Sequence, residues 1–436
     1  MELAILITVL AFGFYMAWNI GANDVANSMA DAVGSGALSV RNAVIAAGIC
    51  EFAGAVLVGA HVTDTVRKGI ISPGTIAGMP GLQEGEAATL LIIGMASALI
   101  AAAVWLNIAT HLGLPVSTTH SIVGAVAGFG ILAAGWAAVN WGIMLSIVAS
   151  WFVSPFAGGL LAFILFKIIS VLILGREMPL RAAEKVVPFI VFFSAGIVVL
   201  LVVFKGLKHL FGEGGLEWMT GGAAFGIAGL VGLAGALVAK IGIRRRIRWR
   251  RHVVLSQQLN EVEKIFCPLV IITSCGVAFA HGSNDVANSV GPLAAVVDML
   301  RHGTIRMTVH VPVWILMLGG AGIVVGLATC GYKVMHTVGK KITEITPCRG
   351  VAADIAATIT VLVCSRLKLP VSTTHTLVGA IMGIGLARGL SGINRRVTRQ
   401  IFAAWLITVP AAAVLAIVIF ALGRVFLFDL IRDIVL

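Results

Sequence analysis

Charge is the first thing this chain lacks. Only 11% of its 436 residues are Asp, Glu, Lys or Arg, where a soluble domain carries roughly 25%. With so little charge a soluble chain of this length could not cover its surface. Acids are scarcest: 19 Asp and Glu stand against 31 Lys and Arg, for a net charge of +12. The six cysteines (Cys50, Cys267, Cys275, Cys330, Cys348, Cys364) form no CxxC pair, which argues against a disulfide framework or a zinc site. The first residues, MELAILITVLAFGFYMAW, have no basic region before the apolar run, so they read as a retained membrane helix over 1–20 and not as a cleaved signal. Together these absences exclude a cytosolic enzyme, a disordered chain and a secreted disulfide scaffold.

Long apolar runs are abundant. Mean hydropathy is +1.03. Residues 42–63 hold only Glu51 and Arg-free, Lys-free sequence, and 87–110, 121–166, 186–204, 218–239, 307–332 and 400–423 hold no Asp, Glu, Lys or Arg over long stretches. At roughly 20 residues per crossing, the chain is expected to be an all-α polytopic membrane protein with about 10–12 transmembrane helices. A transmembrane barrel would instead show short alternating segments. The basic excess is read as the Lys and Arg of cytoplasmic loops and not as a nucleic-acid surface. Its densest part is KIGIRRRIRWRR at 240–251, expected to be cytoplasmic, with anionic lipid headgroups as a further contact. Loops are expected at 64–87, 212–217, 347–350 and 389–399.

Two motifs occur twice. GANDVANS at 21–28 returns as GSNDVANS at 282–289, an offset of 261. LPVSTTHSIVGAVAG at 114–128 returns as LPVSTTHTLVGAIMG at 369–383, an offset of 255. Nearly equal offsets indicate duplication. The expected organisation is a first repeat at 1–150, additional membrane helices at 151–239, a basic linker at 240–264 and a second repeat at 265–436.

Each NDVANS copy puts polar groups inside an apolar run: Asn23, Asp24, Asn27, Ser28, and Asn284, Asp285, Asn288, Ser289. No Lys or Arg lies nearby in sequence to neutralise either aspartate. An acid at membrane depth marks a functional site by default. Glycine before Asn-Asp favours a helix broken in mid-membrane, as transporters use for ion sites. The bland alternative is helix capping, which leaves the second copy unexplained. Each PVSTTH copy follows a helix-breaking proline with three hydroxyls: Ser117, Thr118, Thr119, and Ser372, Thr373, Thr374. Hydroxyls and N–H groups at a helix start can cradle an anion, here at the tip of a re-entrant hairpin; an ordinary capped junction is the alternative. His120 and His375 are read first as packing residues. His281, where the first copy has Ile20, is the weakest candidate. Glu51 and Asp354 are read equally as cation ligands or as interfacial acids.

These residues resemble the inorganic phosphate transporter (PiT) family of sodium- or proton-dependent phosphate permeases. GANDVANSMADAVGSG, GSNDVANSVGPLAA and both LPVSTTH segments carry the resemblance, with VRKGI (66–70) and GKKITEITP (339–347) beside them. It implies two inverted-topology repeats with phosphate and coupling cations bound between them. By that match phosphate would meet Asn23, Asn27, Ser28, Ser117, Thr118, Thr119, Asn284, Asn288, Ser289, Ser372, Thr373 and Thr374. Residue chemistry gives the coupling cation, Na⁺ or H⁺, to Asp24 and Asp285 with Asn23 and Asn284; Glu51 and Asp354 are weaker candidates. Sulfate is the alternative anion, and an anion channel a more distant reading. An enzyme is not expected, since Ser117 and His120 lack an oxyanion-hole motif or metal cluster. The expected partners are phosphate, Na⁺ or H⁺ and the lipid bilayer, with no resident cofactor; a homodimer is left open. The expected location is the cell membrane.

Overall fold

The computed structural model describes residues 2–71, 75–76, 79, 82–203, 221–247, 254–306, 311–366 and 371–435. Among these no strand occurs beyond one isolated bridge, Ile71 to Val139. The first half holds α1 (Glu2–Ile20), α2 (Val40–Gly69), α3 (Glu84–His111), α4 (Thr118–Ala134) and α5 (Trp141–Ile169). Next come α6 (Pro179–Val202) and α7 (Gly221–Ile247). The second half holds α8 (Leu255–Asp285), α9 (Ala287–His302), α10 (Val313–Cys330), the short α11 (Tyr332–His336), α12 (Pro347–Arg366), α13 (Thr373–Ala387) and α14 (Arg395–Val435). Ten helical stretches of the described residues are long and apolar enough to cross a membrane. The two helices that start at the PVSTTH motifs, α4 and α13, are shorter.

The halves are interlocked. Helix α4 lays Gly124 and Gly128 against the backbone of Val409 and Ala413 in α14. Helix α13 lays Gly379 and Gly383 against Pro155 and Gly159 in α5. Each is a Gly-x-x-x-Gly face, which lets helix backbones approach closely in a membrane. Each motif helix therefore crosses onto a long helix of the other half, and the boundary drawn at 150/151 falls inside α5. On the outside, α5 points Phe152 and Phe156 outward, 68% and 72% exposed, as lipid-facing side chains should be.

Several expected loops are shorter than the sequence indicated. Helix α2 continues to Gly69, and α3 begins at Glu84 through a capping box between Gln83 and Glu86. The stretch 347–350 is the first turn of α12, because proline is well suited to a first helical position and Glu263 accepts from the Cys348 N–H at 3.0 Å. Only the start of 389–399 is loop; Asn394 accepts from the Val397 N–H, and α14 begins at Arg395. Residues 212–217 lie outside the described residues. The basic stretch from Lys240 runs on as the end of α7 to Ile247, residues 248–253 are outside the described set, and α8 opens at Leu255.

Candidate functional site

The two NDVANS motifs sit at helix irregularities. In the first, Gly21–Val25 forms a π turn that continues α1. In the second, Val286 joins α8 to α9. Both stay right-handed: Ala26 and Val286 have ordinary helical φ and ψ. The mid-membrane break expected from the sequence is thus a widened or offset turn and not an unwound segment. Such turns shift backbone partners and recur at functional sites.

The two PVSTTH motifs start helices against them. Ser117 and Ser372 are the N-caps, accepting from the N–H groups of His120 and His375 at 3.2 Å each. That leaves the threonines to face the aspartates. Thr118 donates its hydroxyl to Asp24 at 2.7 Å, and its N–H lies 3.4 Å from the same oxygen. Thr373 donates to Asp285 at 3.0 Å and Thr119 to its other oxygen at 3.4 Å. The asparagines cross between halves. Asn27 donates to Thr374 at 3.1 Å, and Asn288 to Thr118 at 3.2 Å and Thr119 at 3.1 Å. All four motif copies, far apart in sequence, meet in one cluster. Asp24, Asp285, Asn27 and Asn288 are each at most 2% exposed, while Thr119, Thr373 and Asn284 are half-buried.

Other expected ligands have structural jobs. Asn23 donates to Thr110 and to the Leu114 carbonyl at 3.0 Å each, and accepts from the Val116 N–H at 3.0 Å. Both ends of its amide are committed to holding the chain that leads into Ser117. Ser28 and Ser289 donate back to the carbonyls of Val25 and Val286. His120 and His375 pack on each other, ring centroids 4.7 Å apart, flanked by Trp151 and Trp405. That is the packing role first assigned to them.

His281 is where the sequence reading was weakest. Its Nε2 lies 2.7 Å from Asp285 and 3.6 Å from Asp24. Its Nδ1 lies 3.0 Å from Glu51, which is fully buried. The imidazole thus stands among three carboxylates, and only its doubly protonated form can donate on both sides. Asp24, His281 and Asp285 also offer ligand atoms close enough together to hold one ion. The i, i+4 spacing of His281 and Asp285 was the available clue; Glu51, 230 positions away, gave none. Asp354 lies elsewhere. It accepts from Thr273 at 2.7 Å and Ser274 at 2.8 Å, beside Asp31, an acid that sequence reasoning passed over.

Ten membrane-length helices among the described residues, with hydroxyls, amides and carboxylates gathered in the buried centre, define a multi-pass membrane carrier for a small polar solute. Residues 20–416 match the phosphate transporter family, and the chain belongs to that family. It is 45% identical over 416 residues to a Pyrococcus furiosus protein with a provisional phosphate-permease name, covering 95% of each chain. It is 41% identical to the chloroplastic inorganic phosphate transporter 2-1 of Arabidopsis thaliana, over 94% of this chain and 70% of that one. A solved structure described as the sodium-dependent phosphate transporter superposes with a TM-score of 0.84 at 41% identity, covering 97% of this chain and all of that one.

Proposed function

We infer that the protein carries inorganic phosphate across the cell membrane together with a cation, Na⁺ in preference to H⁺. The supporting observation is the convergence of all four motif copies on a buried cluster whose fixed charge is mostly negative. Asp24, Asp285 and Glu51 supply three carboxylates and His281 one imidazole. Among the described residues neither Asp24 nor Glu51 pairs with a Lys or Arg. Phosphate at neutral pH adds a charge of about −1 to −2. Two like charges about 4 Å apart repel by about 4 kcal/mol at an effective dielectric near 20. One imidazolium cannot offset Asp24, Glu51 and the phosphate together, so cations enter with the anion. The name of the solved relative supports Na⁺.

The side chains divide by chemistry. Asp24, Asp285 and the Asn27 Oδ1, a buried oxygen with no hydrogen-bond partner among the described residues, suit a hard cation that prefers oxygen. The hydroxyls of Thr118, Thr119, Thr373 and Thr374 and the amide N–H groups of Asn27 and Asn288 suit phosphate. The starts of α4 and α13 add the positive ends of two helices. Here the Asp24 carboxylate occupies the anion position at the start of α4, through the Thr118 N–H. A cation on Asp24 would release those donors to phosphate, which links the two bindings.

Alternating access fits two repeats of inverted topology. Pro155 in α5 and Pro410 in α14 share the 255 offset of the PVSTTH copies, so we extend the first repeat through α5. We assign the basic end of α7 to the cytoplasm on the excess of Lys and Arg that cytoplasmic loops carry.

Uptake of radiolabelled phosphate into proteoliposomes, with Na⁺ and pH gradients imposed separately and sulfate as competitor, tests the reading. It expects accumulation driven by Na⁺ and little competition by sulfate. Equal uptake with both gradients collapsed would overturn it.

A further inference from the structure

Helices α6 and α7 form an antiparallel pair at the edge of the molecule, and their cleft has a composition that the carrier site does not use. The cleft encloses about 1110 Å³ and is lined by α6 from Arg181 to Phe193 and by α7 from Leu233 to Arg244. Its lining is sorted by depth. Arg181, Glu184 and Lys185 open α6, and Lys240 and Arg244 close α7, so the charged groups gather at one end. Beyond them the walls turn apolar, with Phe189, Phe192 and Phe193 facing Leu233 and Leu237. On α6 the series 181, 185, 189, 193 advances by four, which keeps it on one helix face.

The charge at the mouth is unbalanced. Glu184 binds Arg244 at 2.9 Å. Arg181, Lys185 and Lys240 have no acidic partner among the described residues, and all three are exposed. At 1.5 Å of rise per residue the α6 face from Arg181 to Phe193 spans about 18 Å. Half of a hydrocarbon core of about 30 Å is about 15 Å. The cleft therefore has the depth of one leaflet, with cations where headgroups lie and aromatic and aliphatic walls where an acyl chain lies. At the deep end Gly232 admits the Phe192 carbonyl, 2.7 Å from where a Cβ would stand, so the helices meet and close the cleft there.

We propose that this cleft binds an anionic phospholipid, its phosphate held by Arg181, Lys185 and Lys240 and one acyl chain lying between Phe192 and Leu233. These three cations select an anionic over a zwitterionic headgroup. Closure at Gly232 limits the chain to one leaflet.

Retention of lipid by the purified full-length protein tests this, read by native mass spectrometry from micelles doped equally with phosphatidylglycerol and phosphatidylcholine of the same chains. The wild type should retain phosphatidylglycerol preferentially. Arg181→Gln, Lys185→Gln and Lys240→Gln should each cut that preference about fivefold, as about 1 kcal/mol per cation implies, and the triple variant should abolish it. Leu233→Trp, which fills the cleft and spares the cations, should reduce retention of both lipids. Excess inorganic phosphate should displace neither, which separates a lipid site from a free-phosphate site. Equal retention of the two lipids by the wild type, unchanged preference in a folded triple variant, or displacement by inorganic phosphate would each overturn the proposal.

Discussion

Two corresponding helix crossings in this molecule differ in the side chains that meet beside their glycines. At one, Gly21 of α1's π turn rests on the backbone of Ile323 in α10; at the other, Gly282 of α8 rests on the backbone of Glu51 in α2. The residue before the glycine is Ile20 in the first case and His281 in the second. One crossing thus joins two fully buried isoleucines, and the other joins a buried acid to a buried imidazole. The apolar crossing stops at packing. The polar crossing extends through the imidazole to both Asp285 and Asp24. The motifs repeat, but the Glu51–His281 pair makes the two crossings chemically unequal.

Removing what the halves share should have the largest effect. Asp24→Asn and Asp285→Asn each take a charge from a buried, hydrogen-bonded network, a loss worth about 3–5 kcal/mol. Phosphate uptake should fall at least about 100-fold in each variant, measured with labelled phosphate in proteoliposomes; near-normal uptake by both would remove the aspartates from the mechanism.

Converting one crossing into the other comes next. His281→Ile leaves Glu51 buried without its partner, whereas Glu51→Ile frees only the Nδ1 of His281, whose Nε2 keeps Asp285. His281→Ile should lose about 3–5 kcal/mol of stability, and Glu51→Ile less. The double variant, which rebuilds the isoleucine crossing, should regain a substantial part of that loss and still transport poorly. Thermal unfolding and uptake of all four proteins close the cycle. Additive stability losses would mean that the pair does not interact as a unit.

A smaller effect is expected at the glycines. Gly21→Ala and Gly282→Ala put a methyl group against a backbone carbonyl, and overpacking of this kind costs about 1–3 kcal/mol. Both melting temperatures should drop. Both should also alter the Na⁺ dependence of uptake, Gly21→Ala through Asp24 in the same π turn and Gly282→Ala through Glu51.

The smallest contrast separates the asparagines. Asn23→Ala removes three hydrogen bonds around the approach to Ser117 and should cost about 1–3 kcal/mol. Half-buried Asn284 makes no side-chain hydrogen bond among the described residues, so Asn284→Ala should shift the melting temperature little. Equal shifts would show that the clamp is not particular to the first half.

Much of this was legible in the chain. Charge-free windows located the spans because a bilayer tolerates little else. The repeated NDVANS and PVSTTH segments identified the residues that meet. What could not be read is which member of a polar run does which job. Ser117 and Thr118 are neighbours of similar chemistry, yet one caps a helix and the other faces Asp24, a difference fixed by backbone direction at the helix start. Asn23 reads as a ligand until the loop at 114–116 is seen folded around it. Glu51 and His281 find each other only through a helix crossing, and so do Asp31 and Asp354. The stretches 347–350 and 389–399 looked like loops because proline and charge mark helix starts as readily as they mark turns.

The central claim is that phosphate settles beside Asp24 and Asp285 only with cations. Phosphate binding to the purified protein, titrated at fixed pH and ionic strength as Na⁺ replaces choline, addresses it most directly. The account predicts that affinity climbs at least about tenfold, within the range of an ordinary coupling free energy, and that phosphate tightens Na⁺ binding by the same factor. Phosphate affinity that stays constant across the whole titration would contradict it.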